Sequence, residues 1–68
     1  MNIEQEFLIC CIEEYKTFHN LSGKEVIELF EKFNVNSFVI DNYEALHTTS
    51  LLYVVEDIDI FIKKEKEK

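Results

Sequence analysis

Proline is absent from this 68-residue chain, and glycine occurs once, as Gly23. Hairpins and tight turns in sheets need residues that accept positive φ, usually Gly, Asn or Asp. A chain with so little glycine is predicted to be helical, with connections built from Asn, Ser and Thr. The sequence also has no apolar run approaching the length of a membrane span and does not open on a charged-then-apolar signal segment. We therefore expect a cytoplasmic protein that does not enter a membrane.

Cysteine is scarce, and its placement excludes two uses. Cys10 and Cys11 are adjacent, which rules out an ordinary disulfide between them. With His19 and His47 they do not form a zinc-ligand pattern, because neighbouring residues on a helix point about 100° apart. Glutamates surround the two thiols, whereas a reactive thiol needs positive neighbours. We expect no metal site, and we expect both cysteines to pack in the core or at its boundary.

Catalytic motifs are also missing from the sequence. There is no phosphate-binding glycine loop, no Ser/His/Asp ordering and no identifiable pair of catalytic carboxylates. Glu56, Asp57 and Asp59 lie close together, but the turn glycine of a calcium loop is absent. We expect no cofactor and no enzymatic activity. Asp57 is predicted to face a helix N-terminus or a hydroxyl group, with Glu56 and Asp59 in solvent.

The charge is strongly asymmetric along the chain. The net charge is −7, yet residues 1–62 contain twelve acidic residues and three lysines, a balance of −9. Such a surface repels phosphate backbones and anionic membranes. Nucleic acid is therefore not an expected partner. With 47% of its residues hydrophobic, the chain has either an unusually dense core or apolar surface kept for a protein partner.

The clearest predicted element is a helix at residues 23–33. Ser22 and Glu25 form a capping-box pattern at its start, and Asn34 is placed to end it in the left-handed region. The apolar residues inside it repeat at helical spacing. Similar reasoning predicts helices at 3–19, after a cap at Asn2, at 37–47, after Asn36 or Ser37, and at 51–63, after Ser50.

The predicted fold class is an all-α, small four-helix domain spanning residues 1–63, followed by a disordered charged tail at 64–68. The first helix is apolar on two flanks, as the central member of a bundle would be. A strand is the alternative for residues 58–62, where Ile58, Ile60 and Ile62 alternate with other residues. The residues predicted to be least exposed are Phe7, Cys11, Leu29, Phe30, Leu46, Val55 and Ile58.

The sequence resembles a family of short bacterial proteins, about 70 residues long, that is known only as a domain of unknown function. The matching segments are Ser22-Gly23-Lys24-Glu25-Val26, Leu29-Phe30, Tyr43-x-x-Leu46-His47-Thr48-Thr49, Tyr53, Glu56-Asp57-Ile58-Asp59 and Phe61-Ile62. Genes of that family often lie beside genes for proteins that resemble ADP-ribosyltransferases, as in a toxin–antitoxin pair. The resemblance implies a small acidic protein that binds and restrains, or accompanies, a neighbouring enzyme. It carries over no catalytic residue.

Two hypotheses of function follow. The first is a protein-binding module of antitoxin type, with Tyr43, His47, Thr48 and Asp57 as partner-binding residues. The alternative is a homo-oligomer, such as a homodimer, in which the extra apolar surface forms the subunit interface. The environment of His47 distinguishes a contact role from a structural role for these four residues. We favour the structural role, in which His47 is buried and hydrogen-bonded to Asp57 or to backbone carbonyls.

Overall fold

Five helices pack around one apolar core in the computed structural model, which describes residues 2–68. They are α1 (Ile3–His19), α2 (Gly23–Lys32), α3 (Val35–Asp41), α4 (Tyr43–Leu46) and α5 (Leu51–Lys66). No residue in this range belongs to a strand, which confirms the all-α prediction. The predicted count of four is corrected to five, because the third predicted helix is divided in two. The structure measures 28 × 25 × 21 Å along its principal axes.

The first two helices begin at the predicted caps. The Asn2 side chain accepts a hydrogen bond from the Gln5 backbone N–H at 2.8 Å, and the Ser22 hydroxyl accepts one from the Glu25 N–H at 3.1 Å. The Ser22 N–H in turn donates to the Glu25 carboxylate at 3.0 Å. These bonds from Ser22 hold the pKa of Glu25 below its usual range. The capping box predicted at Ser22 is confirmed, and Asn2 forms a second one with Gln5.

Two asparagines in the left-handed region end these helices. Asn20 has a φ of 54° and Asn34 a φ of 59°, which confirms the prediction for Asn34. The reversal at Asn34 has a consequence that the sequence prediction missed. The Asn34 carbonyl accepts from the Phe38 N–H at 3.2 Å, so α3 begins at Val35 rather than at 37. The predicted cap at Asn36 or Ser37 is wrong, since both residues lie inside α3.

The third predicted helix is broken at Asn42. This residue has φ −109° and ψ 19°, outside helical geometry, and it separates α3 from α4. Its side-chain amide donates to the Phe38 carbonyl at 2.8 Å. Asparagine competes with the helical backbone in this way, which is why it disfavours helix interiors. α4 is therefore a separate helical turn of four residues.

The last helix settles the choice between helix and strand for residues 58–62. Ile58 and Ile62 are buried while Ile60 is 54% exposed, an arrangement that fits a helix and contradicts alternation on one strand face. α5 continues to Lys66, so its predicted end at residue 63 is too early. Lysines favour the negative end of a helix dipole, and the Lys66 ammonium lies 5.6 Å from the Phe33 ring centre.

The core is assembled around α1, which contacts α2, α3 and α5, as the predicted central helix should. Five of the seven residues predicted to be least exposed are buried: Cys11, Phe30, Leu46, Val55 and Ile58. Phe7 and Leu29 are only half-buried and pack against the margin of the core. The Phe7 ring meets the Tyr43 ring edge-on at 5.4 Å, so α4 covers one side of it.

Candidate functional site

Three of the four residues predicted to bind a partner lie on α4 and the turn after it. The Tyr43 and His47 rings stack, with centroids 4.4 Å apart and planes 7° from parallel. The His47 Nδ1–H donates to the Tyr43 carbonyl at 2.8 Å, and the Thr48 hydroxyl donates to the Ala45 carbonyl at 2.9 Å. Both side chains therefore satisfy carbonyls at the end of α4.

His47 differs in one respect from the structural role that the sequence favoured. Its hydrogen bond to a backbone carbonyl is confirmed, but the residue is exposed rather than buried. Because α4 has only four residues, the imidazole lies over Tyr43 at the surface instead of beneath a neighbouring helix. Tyr43 is half-buried and Thr48 is exposed. This stack offers an accessible aromatic and polar surface.

The roles predicted for Asp57 and Asp59 are reversed in the structure. The Asp57 side chain is exposed and takes part in no hydrogen bond or ion pair among residues 2–68. Asp59, predicted to be solvated, accepts a hydrogen bond from the Tyr15 hydroxyl at 2.7 Å. The two aspartates flank the buried Ile58 on opposite sides of α5, and α1 lies on the side of Asp59.

Asp59 is the centre of a polar cluster formed with Tyr15 and His19, which we call the Asp59 cluster. One carboxylate oxygen binds the Tyr15 hydroxyl, and the other lies 2.9 Å from His19 Nε2. The His19 ring also packs on the Tyr15 ring at 4.3 Å. Tyr15 is buried and meets Phe30 edge-on at 5.2 Å. The cluster therefore ties α1 to α5 at the border between core and solvent.

The sequence indicates part of this cluster. Tyr15 and His19 are four residues apart, a spacing that places them on the same face of a helix. From the sequence alone, that spacing indicates only the apolar face of α1 and its C-terminal end. Asp57 and Asp59 both border the apolar stripe of α5. The sequence alone therefore does not indicate which of the two contacts α1.

The two cysteines have different environments. Cys10 is exposed and Cys11 is buried, so the predicted packing role is confirmed for Cys11 and wrong for Cys10. Burial, and to a lesser extent the neighbouring Cys10, raises the pKa of the Cys11 thiol to about 12. Burial also raises the pKa of the Tyr15 hydroxyl, with a further contribution from its bond to Asp59. Both groups stay protonated at neutral pH.

Residues 2–68 surround no pocket. Within the same range, no three His, Cys, Asp or Glu side chains converge as metal ligands. None of the helices in this part of the chain is long and apolar enough to cross a membrane. The features with defined geometry are the Asp59 cluster, the Tyr43–His47 stack and the outer surface.

The outer surface is rich in large apolar side chains. Eight of them are between 38% and 62% exposed: Ile3, Ile9, Phe18, Ile27, Ile40, Leu52, Tyr53 and Ile60. Single exposed apolar residues are ordinary on protein surfaces. Eight on one chain of 68 residues leave an unusual amount of apolar area exposed to solvent.

The Asp59 cluster leads to a first prediction. Asp59→Ala should lower the free energy of unfolding by about 1–3 kcal/mol, because it leaves the buried Tyr15 hydroxyl without an acceptor. Asp57→Ala is the matched control and should change it by less than about 0.5 kcal/mol. Urea unfolding followed by circular dichroism measures both. Equal effects of the two substitutions would contradict the reversal of roles described above.

A second prediction concerns alkaline pH. The pKa of Cys11 is higher in the folded chain than its ordinary value of 9.0, and that of Tyr15 is also raised. The folded state therefore holds protons that the unfolded state releases. The contribution of these two groups to the free energy of unfolding is fully present below pH 9. It is lost as the pH rises toward 12, at up to about 1.4 kcal/mol per pH unit per group. Urea unfolding between pH 8 and 11 measures this loss.

The double variant Cys11→Val/Tyr15→Phe is the control for that pH dependence. It removes both titrating groups at nearly constant volume, so its stability should change much less between pH 8 and 11. A double variant with the same alkaline loss as the parent chain would assign the effect to other groups.

A family model described as "Protein of unknown function (DUF3791)" matches residues 6–65 of the chain. No curated protein and no solved structure shows a significant match. The match covers α1 from its second turn through nearly all of α5, including the Asp59 cluster and the Tyr43–His47 stack.

Proposed function

We propose that this chain, which belongs to the DUF3791 family of proteins of unknown function, is a protein-binding module of antitoxin type. Its partner is the ADP-ribosyltransferase-like enzyme encoded beside it, which it binds and restrains. The observation that carries the proposal is the set of eight exposed large apolar side chains on a chain of net charge −7. Apolar anchors surrounded by charge are typical of a surface that pairs with a complementary partner.

The proposal includes what the module does not do. It acts in the cytoplasm without a cofactor and without catalysing a reaction, and it binds neither nucleic acid nor membrane. The balance of −9 over residues 1–62 supports this part, because acidic surfaces repel both phosphate backbones and anionic headgroups. The same charge favours a partner with a basic surface and speeds its encounter with that partner.

Co-purification with the neighbouring enzyme tests the proposal. The two proteins are expressed together with a tag on the enzyme only, and ADP-ribosyl transfer is then assayed with and without added untagged chain. We expect a 1:1 complex and a loss of transferase activity that saturates at equimolar chain. An enzyme that purifies alone and keeps full activity in excess chain would overturn the proposal.

The alternative is a homo-oligomeric structural protein with no partner enzyme. The same exposed apolar residues favour it, since a symmetric interface would bury them between copies. The charge of −7 per chain opposes it, because two copies repel each other. Light scattering on the pure chain distinguishes the two functions. A stable dimer or larger assembly that does not bind the enzyme supports the alternative.

The proposed partner contacts include Tyr43, His47, Thr48 and Asp57. His47→Ala should lower stability by less than about 1 kcal/mol, since it removes one exposed hydrogen bond and one stacked ring. If His47 contacts the enzyme, the same substitution should weaken binding by roughly thirtyfold. Calorimetric titration against the purified enzyme measures the affinity, and thermal unfolding measures stability.

His19→Ala is the matched control for that variant. It removes the other imidazole at a helix end, within the Asp59 cluster, and should affect stability more than affinity. A His47→Ala chain that is destabilised but binds the enzyme as tightly as the parent would end the contact role of His47.

A further inference from the structure

The three exposed large apolar residues of α5 lie on one face, whereas the three on α1 do not. Each residue advances a helix by about 100°, which places Leu52, Tyr53 and Ile60 within about 100° of one another. The buried residues of α5, among them Ile58, lie on the opposite side. By the same geometry, the exposed apolar residues of α1, which are Ile3, Ile9 and Phe18, point in diverging directions or lie far apart along the axis.

Two carboxylates share this surface of α5. Glu56 lies one turn after Leu52 and one turn before Ile60, and Asp57 borders it on the side of Tyr53. Both are exposed, and neither is bonded to another side chain in residues 2–68. We call Leu52, Tyr53, Glu56, Asp57 and Ile60 the α5 outer face. It spans about 12 Å along the axis, at about 1.5 Å per residue.

Beyond this face the charge changes sign. Lys63 and Lys64 follow Ile60 by one turn and are both exposed. From its N-terminal end, the outer side of α5 therefore carries apolar, then acidic, then apolar and then basic residues. A partner that matches this order must place its positive charge over Glu56 and Asp57 and keep it away from the two lysines.

We infer that the α5 outer face binds an amphipathic helix of the partner, whose apolar residues recur every three to four positions and whose lysines or arginines pair with Glu56 and Asp57. A helix fits because the anchors on α5 are spaced by whole turns, the repeat that packed helices share. Arginine is the best match for the carboxylates, because it binds them bidentately. The inference rests on the proposed function and names the surface through which it acts.

A second copy of the chain fits this face poorly. In an antiparallel two-fold pair centred on Glu56, Leu52 would meet Ile60 of the copy, but the Glu56 carboxylates would face each other. Centring the pair on Ile60 sets the acids opposite Lys63 and Lys64, yet it leaves Leu52 opposite the last residue of the copy. A parallel pair again opposes like charges. The uncompensated carboxylates thus favour a basic partner of different sequence.

Paired substitutions on α5 and α2 test the inference. Leu52→Asp and Ile60→Asp should each weaken binding to the purified neighbouring enzyme by roughly thirtyfold, the effect expected of anchors at an interface centre. Ile27→Asp on α2 is the matched control, because Ile27 is 48% exposed and Leu52 47%. It should change the affinity by less than about threefold. Calorimetric titration measures each dissociation constant.

A second pair of variants tests the charge of the partner. Glu56→Lys/Asp57→Lys should weaken binding by roughly thirtyfold. Glu28→Lys/Glu31→Lys on α2 makes the same change in net charge at exposed positions and should change the affinity only by the small factor that long-range steering provides. Circular dichroism confirms that each variant remains helical before titration.

Each outcome has a separate meaning. If the α5 variants and the α2 controls bind the enzyme with the same affinity as the parent chain, the α5 outer face is not the docking surface. The proposed function stands in that case. If the parent chain does not bind the enzyme at all, the proposed function fails as well. If Ile60→Asp instead lowers the mass of the pure chain by light scattering, a second copy covers this face and the inference is wrong.

Discussion

Phe30→Ala should lower the free energy of unfolding by about 3–5 kcal/mol, a large share of what holds the chain folded. Phe30 is fully buried, and its ring meets Tyr15 of the Asp59 cluster edge-on. Removing a buried aromatic ring costs about 3–5 kcal/mol, from lost transfer energy and the cavity that remains. A domain of this size has only roughly 3–10 kcal/mol of stability, at about 0.05–0.15 kcal/mol per residue. Thermal unfolding followed by circular dichroism measures the loss.

Phe18→Ala is the control for this variant. Phe18 is 53% exposed, so losing its ring should lower stability by less than about 1 kcal/mol. If Phe30→Ala melts within a degree or two of the parent chain, Phe30 does not hold the core together. If Phe18→Ala is equally damaging, the separation of buried and exposed faces on α1 and α2 is wrong.

The second large effect should come from Ile58→Asp, with Ile60→Asp as its matched control. Ile58 is fully buried, so an aspartate in its place puts an unpaired charge in the core, and the chain should not fold. Ile60 is more than half exposed, so the same substitution there should leave the helical signal and the melting temperature nearly unchanged. Circular dichroism of both variants measures this.

This pair also tests α5 as a helix. On a strand, Ile58 and Ile60 would lie on the same face, and the two substitutions would have similar effects. On a helix they point about 160° apart, two steps of about 100° each. Equal damage from both variants would contradict the helical register of α5.

Local signals in the sequence were enough to predict most of the helices. Asn2, Ser22 and Ser50 each accept a hydrogen bond at a helix N-terminus, and Asn20 and Asn34 adopt the left-handed backbone. Caps of this kind depend on residues within one turn of each other, which is why one sequence is sufficient to find them. The apolar stripe of α5 predicted a helix over its strand alternative for the same reason.

One error in the helix boundaries came from a local side-chain hydrogen bond, and another from a tertiary contact. The break at Asn42 depends on its side chain binding the Phe38 carbonyl, a choice that competes with a continuous helix. The extension of α5 to Lys66 places the Lys66 ammonium over the Phe33 ring, some thirty residues earlier in the chain. Neither contact leaves a periodic signal in the sequence.

The positions of the polar side chains also depend on packing between helices, which one sequence does not show. His47 bonds within its own turn, and the sequence predicted that bond but not the exposure of the ring. Asp59 contacts Tyr15 and His19, which lie 44 and 40 positions earlier in the chain. Which of two neighbouring aspartates makes that contact depends on how α1 and α5 are rotated against each other. Side-chain packing between helices decides that rotation.

The most direct test of the proposed module is the mass of the particle that it forms. Multi-angle light scattering on the pure chain should give the monomer mass of 8.1 kDa, and an equimolar mixture with the neighbouring enzyme should give a single peak at the summed mass of the two. The Leu52→Asp/Ile60→Asp chain should stay monomeric and elute apart from the enzyme. A pure chain at twice the monomer mass that never joins the enzyme would contradict the account.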